Sequence, residues 1–207
     1  MSRRPTIKYE IPICIICEGS EEYDYLSRLK ELNLWDEIYR VDLVDAKGNG
    51  NLPARYQDKY QNGMYELVLV FCDTDKPPYT RYTEIKDKIN RFHGSDEASS
   101  KVVVFGNPCT MQIIIEHWGD YKLKSPAKGS NANLIAECTG IWDYSAKTEQ
   151  RRALMSKINK ENYLLMLQRI GKLSSDDNEP NSTNFDYVMN CLSSPDAAWV
   201  DDINSIL

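Results

Sequence analysis

No window of this 207-residue chain approaches the roughly 20 uninterrupted apolar residues that a membrane-spanning helix needs, and its longest apolar runs have the length of strands. The opening Met-Ser-Arg-Arg-Pro-Thr is basic, but the apolar run behind it is short and lacks a small-residue cleavage site, which reads against a secretory leader. The expected location is cytoplasmic, with no membrane partner. Positive charge is also in short supply. A net charge of −6 excludes a protein that coats nucleic acid through its overall field, though not one with a local basic groove. No Gly-x-x-x-x-Gly-Lys-Ser/Thr run occurs, so this chain is not expected to hydrolyse ATP through a P-loop. Cys14-x-x-Cys17 has zinc-ligand spacing, but no second Cys or His pair follows, and residues three apart on a strand point to opposite faces. With Cys72 and Cys109 also in or beside apolar runs, these cysteines read as reduced core thiols. Internal repeats and low-complexity tracts are absent.

A hydrophobic content of 42% over this length suits one well-packed domain and is too little for two. A strand is expected over 11–17, giving way at Gly19-Ser20 to a helix in which Leu26, Leu29 and Leu32 fall at helical spacing. Ser20 can cap that helix, and the acidic Glu21 and Glu22 suit the positive end of its dipole. A second strand over 39–44, the loop Lys47-Gly-Asn-Gly-Asn51, a helix over 53–60 and a third strand over 66–72 follow. Lys-Pro-Pro-Tyr after Asp75 stops regular structure, and a helix restarts near Thr80 and runs to Phe92. Residues 101–105 read as the fourth strand and 110–118 as a mostly buried helix. This alternation predicts an α/β fold: a Rossmann-like, mainly parallel sheet of four strands joined by right-handed crossovers and flanked by helices, over residues 1–119. Residues 120–207 read as a lysine-bearing loop and a helical C-terminal extension packed on that core. Within it the pattern predicts one long amphipathic helix over 146–170, a mobile polar stretch over 173–184 and two short docking helices over 185–207. Trp199, Ile203, Ile206 and Leu207 give the tail an apolar surface for the core or for a second copy, so a homo-oligomer stays open.

Chemistry gathers at the ends of two of these strands. Glu18 follows Ile11-Pro-Ile-Cys-Ile-Ile-Cys17, and Asp73-Thr-Asp75 follows Leu67-Val-Leu-Val-Phe-Cys72. If both runs are buried parallel strands, the three carboxylates share the carboxyl edge of the sheet, where open α/β folds place their sites. They would repel one another unless something positive sat between them, and a divalent cation such as Mg²⁺ or Mn²⁺ is the expected neutraliser. Lys122, Lys124 and Lys128 lie close in sequence and form the candidate nucleic-acid contact; they read equally as a solvated loop face. Glu18 also reads as an exposed turn acid, Asp73 and Asp75 as turn and cap residues, Asn107 as the holder of a strand-to-helix turn, and His117 as a packed helix-end histidine.

The order of these features, Cys17-Glu18-Gly19, then Phe71-Cys-Asp73-Thr-Asp75, then Asn107-Pro108-Cys109 leading to His117, resembles the Toprim (topoisomerase–primase) domain. More narrowly it is similar to the RloB-like family of small Toprim proteins associated with bacterial abortive infection and antiphage defence. The resemblance covers residues 10–118. It implies Glu18 as metal ligand or general acid/base, Asp73 and Asp75 as the metal-binding pair, and Gly19, Asn107 and His117 in support. It also implies phosphodiester cleavage of DNA or RNA and an AAA/ABC-type ATPase as partner. The family reads Asn-Pro-Cys-Phe-Glu through its third motif, whereas this chain reads Asn-Pro-Cys-Thr110-Met111, so the family glutamate falls on a residue that can neither bind a hard cation nor move a proton. Glu116, five residues on and about 140° round a helix, is a poor geometric substitute. Three functions therefore stand: a metal-dependent nuclease, a catalytically silent module that binds nucleic acid or a protein, and a phosphohydrolase acting on small nucleotides.

Overall fold

The computed structural model describes residues 10–207; the basic residues of the N-terminus read above lie outside the described residues. Four apolar runs form the strands β1 (Ile11–Cys17), β2 (Tyr39–Asp45), β3 (Leu67–Asp73) and β4 (Val103–Gly106), paired in the order β2-β1-β3-β4 and parallel throughout. β1 and β3 occupy the centre and are buried along nearly their whole length, which is why both read as unbroken β-branched runs rather than as alternating ones. Their register pairs Ile15 with Leu69 and Cys17 with Phe71, so the two strands end side by side. Cys14 and Cys17 are buried in this sheet, and burial pushes the Cys14 thiol up to about 12.

Helices α1 (Ser20–Glu31), α2 (Leu52–Gln61), α3 (Thr80–His93) and α4 (Ala98–Val102) make the crossovers. Beyond β4 come α5 (Met111–Ile115), α6 (Ala132–Thr139), α7 (Thr148–Ser156), α8 (Lys160–Ile170), α9 (Phe185–Ser193) and α10 (Ala198–Asn204). One apolar cluster runs from the sheet through Leu154, Ile158, Tyr163, Met166, Phe185 and Trp199, so the C-terminal helices close the same core. The tail surface read from Trp199 and Ile203 is spent there: both are buried, and the Trp199 indole N–H donates to the Tyr39 hydroxyl at 2.9 Å. Among the described residues no helix is long and apolar enough to cross a membrane.

Three expectations are corrected. The long helix over 146–170 is two helices, because Asn159 caps α8 in a reciprocal pair with Asn162 and Arg28 holds the Ile158 carbonyl at the break. The buried helix over 110–118 is regular only over α5 and continues as turns, and α6 occupies a stretch to which the sequence pattern assigned no element. The polar stretch over 173–184 is ordered against β4. Thr183 bridges Gly106, its hydroxyl donates to the Phe105 carbonyl at 2.6 Å, and Asn184 accepts from Phe105 N–H while donating to the Val103 carbonyl. These side chains occupy the hydrogen-bonding edge that β4 would otherwise expose. Replacing Asn184 with Ala leaves two backbone groups of that edge without partners, and the expected loss is about 1–3 kcal/mol in urea unfolding with an unchanged m-value.

Candidate functional site

The site starts from strand register. Glu18 follows β1, and its own N–H continues the pairing onto the Phe71 carbonyl. Its carboxylate then accepts from the N–H of Asp73, the last residue of β3, at 3.0 Å. α1 begins two residues after Glu18, and Glu22 in its first turn folds back to accept from the Gly19 N–H at 3.0 Å, the return half of a capping box. That leaves the Glu22 side chain almost wholly buried, 4% exposed, beside Asp73. From the other side, Gly106 ends β4 with so little room that an added Cβ would lie 2.9 Å from the Cys109 backbone. This close approach brings Thr110 over Asp73, where its N–H and hydroxyl donate to the same carboxylate oxygen at 2.7 and 2.9 Å. The Thr110 side chain also lowers the Glu22 carboxyl, against the larger effect of burial.

Electrostatics follow from that crowding. Burial, and then the neighbouring charges of Glu22 and Glu18, hold the Asp73 carboxyl well above the usual range, although the Thr110 N–H opposes the shift. Burial first, with Glu22 and Asp75 adding, raises Glu18 to about 7; the Asp73 N–H and the charge of Arg81 pull the other way. Glu22 is raised by burial and by Glu21. Arg151 of α7 lines the same cleft of about 240 Å³, but its guanidinium is engaged by Asp24 at 2.7 Å. Asp75 leaves β3 in the left-handed region at φ 62°, which Asp tolerates better than most residues, and its N–H donates to the Pro108 carbonyl. Together with Glu18 it lines a larger cleft of about 660 Å³.

Glu18, Asp73 and Asp75 are thus brought to one edge, with Gly19 supplying its N–H to Glu22. Asn107 is not at the carboxylates: its side chain ties the Asp177 carbonyl and the Tyr79 hydroxyl to the end of β4. His117 is buried between the Tyr25 hydroxyl and Asn162, each 3.0 Å away, and burial lowers it to about 4, so it is a neutral core histidine. Glu116 is also remote, buried against Gln112 with Arg169 donating to its backbone carbonyl. Lys122 and Lys124 are exposed on a loop whose Ser125, Pro126 and Ala127 wall a cleft beside Asp75, while Lys128 opens a short 3₁₀ turn. Glu22 is the residue that sequence reasoning missed. Its signal, a glutamate three residues beyond a Gly that follows a strand, was present but was absorbed by the helix-dipole reading.

Among the described residues, no three His, Cys, Asp or Glu side chains converge closely enough, as placed, to hold an ion. The donor chemistry nevertheless fits a hard divalent cation, since all the donors are carboxylate oxygens that raise one another beyond the effect of burial.

Fold and site together define an α/β protein with an acidic cleft at the carboxyl edge of a parallel sheet. No family model matches the chain, and no curated protein matches it. Among solved structures it is similar to the C-terminal region of the Burkholderia pseudomallei OLD protein, at 13% identity over 94% of this chain and 98% of that one, with a TM-score of 0.40.

Because Glu18 is raised in the folded protein, its contribution to stability is complete below pH 4.5 and is lost as pH rises through about 7. His117 acts in the opposite sense, since its lowered value costs stability as pH falls through 6.5 towards 4. The difference between wild type and Glu18→Gln isolates the first effect, because Gln can still accept from the Asp73 N–H. In EDTA, Glu18→Gln should gain on wild type by on the order of 3 kcal/mol between pH 4.5 and 8 in denaturant unfolding. A pH-independent difference would mean that Glu18 titrates normally.

Proposed function

We propose that the chain is a metal-dependent phosphodiesterase of the Toprim type that cleaves nucleic acid. The observation that carries this reading is the group of buried, mutually repelling carboxyls at the paired ends of β1 and β3, opening onto a cleft. Glu18, Asp73 and Asp75 would hold Mg²⁺ or Mn²⁺, which when bound polarises phosphoryl oxygens and activates water. Thr110 fixes the Asp73 carboxylate in one orientation through two hydrogen bonds. Glu22, whose charge is felt at Asp73 and which burial favours in its protonated form, is suited to hold and pass a proton. In this scheme Glu22 supplies the carboxyl that the family resemblance puts at Met111. Action beside an AAA/ABC-type ATPase in antiphage defence rests on that resemblance alone.

The second reading, a silent binding module, draws support from Met111 and from the absence of a converged three-ligand group among the described residues. The two are separated by incubating DNA and RNA with the purified protein and Mn²⁺ or Mg²⁺, alongside metal titrations of the melting temperature. Wild type should cut one class of nucleic acid and melt higher with metal. Asp73→Asn, which keeps an acceptor for Thr110, should lose both responses. Glu22→Gln should keep the metal-induced shift while its turnover falls by about 10²–10⁴-fold, the usual worth of a positioned proton carrier. Wild type that neither cuts nor responds to metal would leave the silent module as the function.

A further inference from the structure

The cleft of about 660 Å³ that borders Glu18 and Asp75 has a wall the carboxylate chemistry does not use. One side is α3, which presents Arg81 and Lys88 seven residues apart, two turns or about 10.5 Å along one helix face. Both are exposed, and among the described residues neither is in an ion pair, although Glu84 lies between them on the same wall. Arg81 is close enough to Glu18 for its charge to be felt there. The other side is the loop from Lys47 to Asn51. Its Gly48 N–H is held by the Glu18 carbonyl at 2.7 Å, which fixes the loop to the strand end that carries the site. At Gly48 and Gly50 no atom lies within 4 Å of where a Cβ would sit, so the loop offers bare backbone to open space. Asn49 carries a buried side-chain oxygen with no hydrogen-bond partner, an acceptor left for a ligand that brings a donor. Arg81 and Lys88 thus face one acid, Glu84, on a wall outside the carboxylate group, with Lys47 opposite them paired to Asp45 at 3.4 Å, in a protein whose net charge is −6.

A second cleft, of about 610 Å³, runs between Pro77-Pro78 and Ser125–Ala127 and meets the first at Asp75 and Arg81. Either cleft alone has the size of a small-molecule site, roughly 300–1,000 Å³, so a mononucleotide would need only one. A chain passing from one to the other would run past Asp75 and could leave a phosphate at the acidic group with its neighbours on cations. Lys122 and Lys124 line neither cleft.

We propose that the cleft between α3 and the Lys47–Asn51 loop is the backbone channel for a polynucleotide, with Arg81 and Lys88 on the phosphates flanking the one at the acidic site and Asn49 accepting from a sugar or base donor. The proposal rests on the phosphodiesterase reading and adds to it the length of the substrate and the path it takes. It replaces Lys122, Lys124 and Lys128 as the main nucleic-acid contact.

The test is binding of fluorescein-labelled DNA and RNA oligonucleotides, followed by anisotropy across a salt series in the non-cutting Asp73→Asn background, with wild-type cleavage measured in parallel. Adding Arg81→Ala and Lys88→Ala should weaken binding about 10–100-fold at low salt and flatten the dependence of log K on log salt by about one per lost phosphate contact. Gly50→Leu, which removes no charge, should weaken binding by filling the cleft. Lys122→Ala with Lys124→Ala removes the same two charges and should leave the slope unchanged. Thermal melts confirm folding, since every residue exchanged in that background is exposed. The channel is overturned if the Arg81 and Lys88 exchanges leave the slope intact, or if the Lys122 and Lys124 exchanges flatten it equally. If wild type cuts oligonucleotides while the cleft variants bind as their parent does, only the channel fails. If wild type neither binds nor cuts any oligonucleotide, the phosphodiesterase reading fails with it.

Discussion

Acidic side chains held beside one another away from water constrain much of this molecule. Glu18 and Asp73 cannot drift apart without disturbing the sheet, because one directly follows β1 and the other ends β3, two central strands that pair in register, and the Asp73 N–H donates to the Glu18 carboxylate. Glu22 cannot leave without giving up the Gly19 N–H at the start of α1. Two unit charges about 4 Å apart repel by about 1 kcal/mol in water and by about 4 kcal/mol at the effective dielectric typical of proteins. Such a group has two ways to relax: protons, which the raised carboxyls already favour, or a cation. Protons and a divalent metal would compete for the same oxygens, so metal uptake here would release protons and strengthen as pH rises.

Distant segments serve that arrangement. β4 is only four residues long, and its outer edge is completed by side chains of Thr183 and Asn184 rather than by another strand. Those bonds, with the Asn107 N–H on the Ser182 carbonyl, steady the end of β4 at Gly106. Gly106 in turn lets the Cys109–Thr110 backbone approach closely enough for Thr110 to engage Asp73. A polar stretch some 70 residues downstream thus supports the orientation of a site carboxylate, and Asn107 acts through this support rather than at the acids themselves.

The parts of the fold carried by local pattern were legible. Unbroken β-branched runs identified the buried strands, and their spacing identified the parallel sheet, because burial on both faces writes itself directly into composition. The carboxylates at strand ends were legible for the same reason. What escaped depends on partners far away in sequence. The polar side chains at 182–184 look like loop residues until the edge of β4 is set beside them, and Asn159 looks like one more helical position until its pairing with Asn162 ends the previous helix. His117 was readable as a packed residue, but its partners Tyr25 and Asn162 were not. Glu22 was missed because two roles coincide in it: a cap satisfies a local rule, and a local rule gives no hint of the Asp73 carboxyl that the sheet brings alongside.

That coincidence bears on why Met111 is tolerable. A glutamate at Met111 would point a charge into a position that is 3% exposed at the start of α5, a helix of only five residues with little dipole to offer it. Glu22 sits instead in the first turn of α1, a helix of 12 residues, where unpaired N–H groups and the positive end of the dipole favour an anion and where the Gly19 N–H is already bonded to it. The Thr110 hydroxyl has a single proton. It donates to Asp73, and its nearness to Glu22 lowers that carboxyl against the effect of burial, so two acids compete for one donor. The arrangement therefore ties the proton on Glu22 to the charge on Asp73. With a cation held at Asp73, the Thr110 hydroxyl would be free to donate to Glu22, whose proton would then be easier to give up. In the proposed scheme the proton carrier is thus a fourth acid beside Glu18, Asp73 and Asp75, and it comes from the helix that follows the first strand.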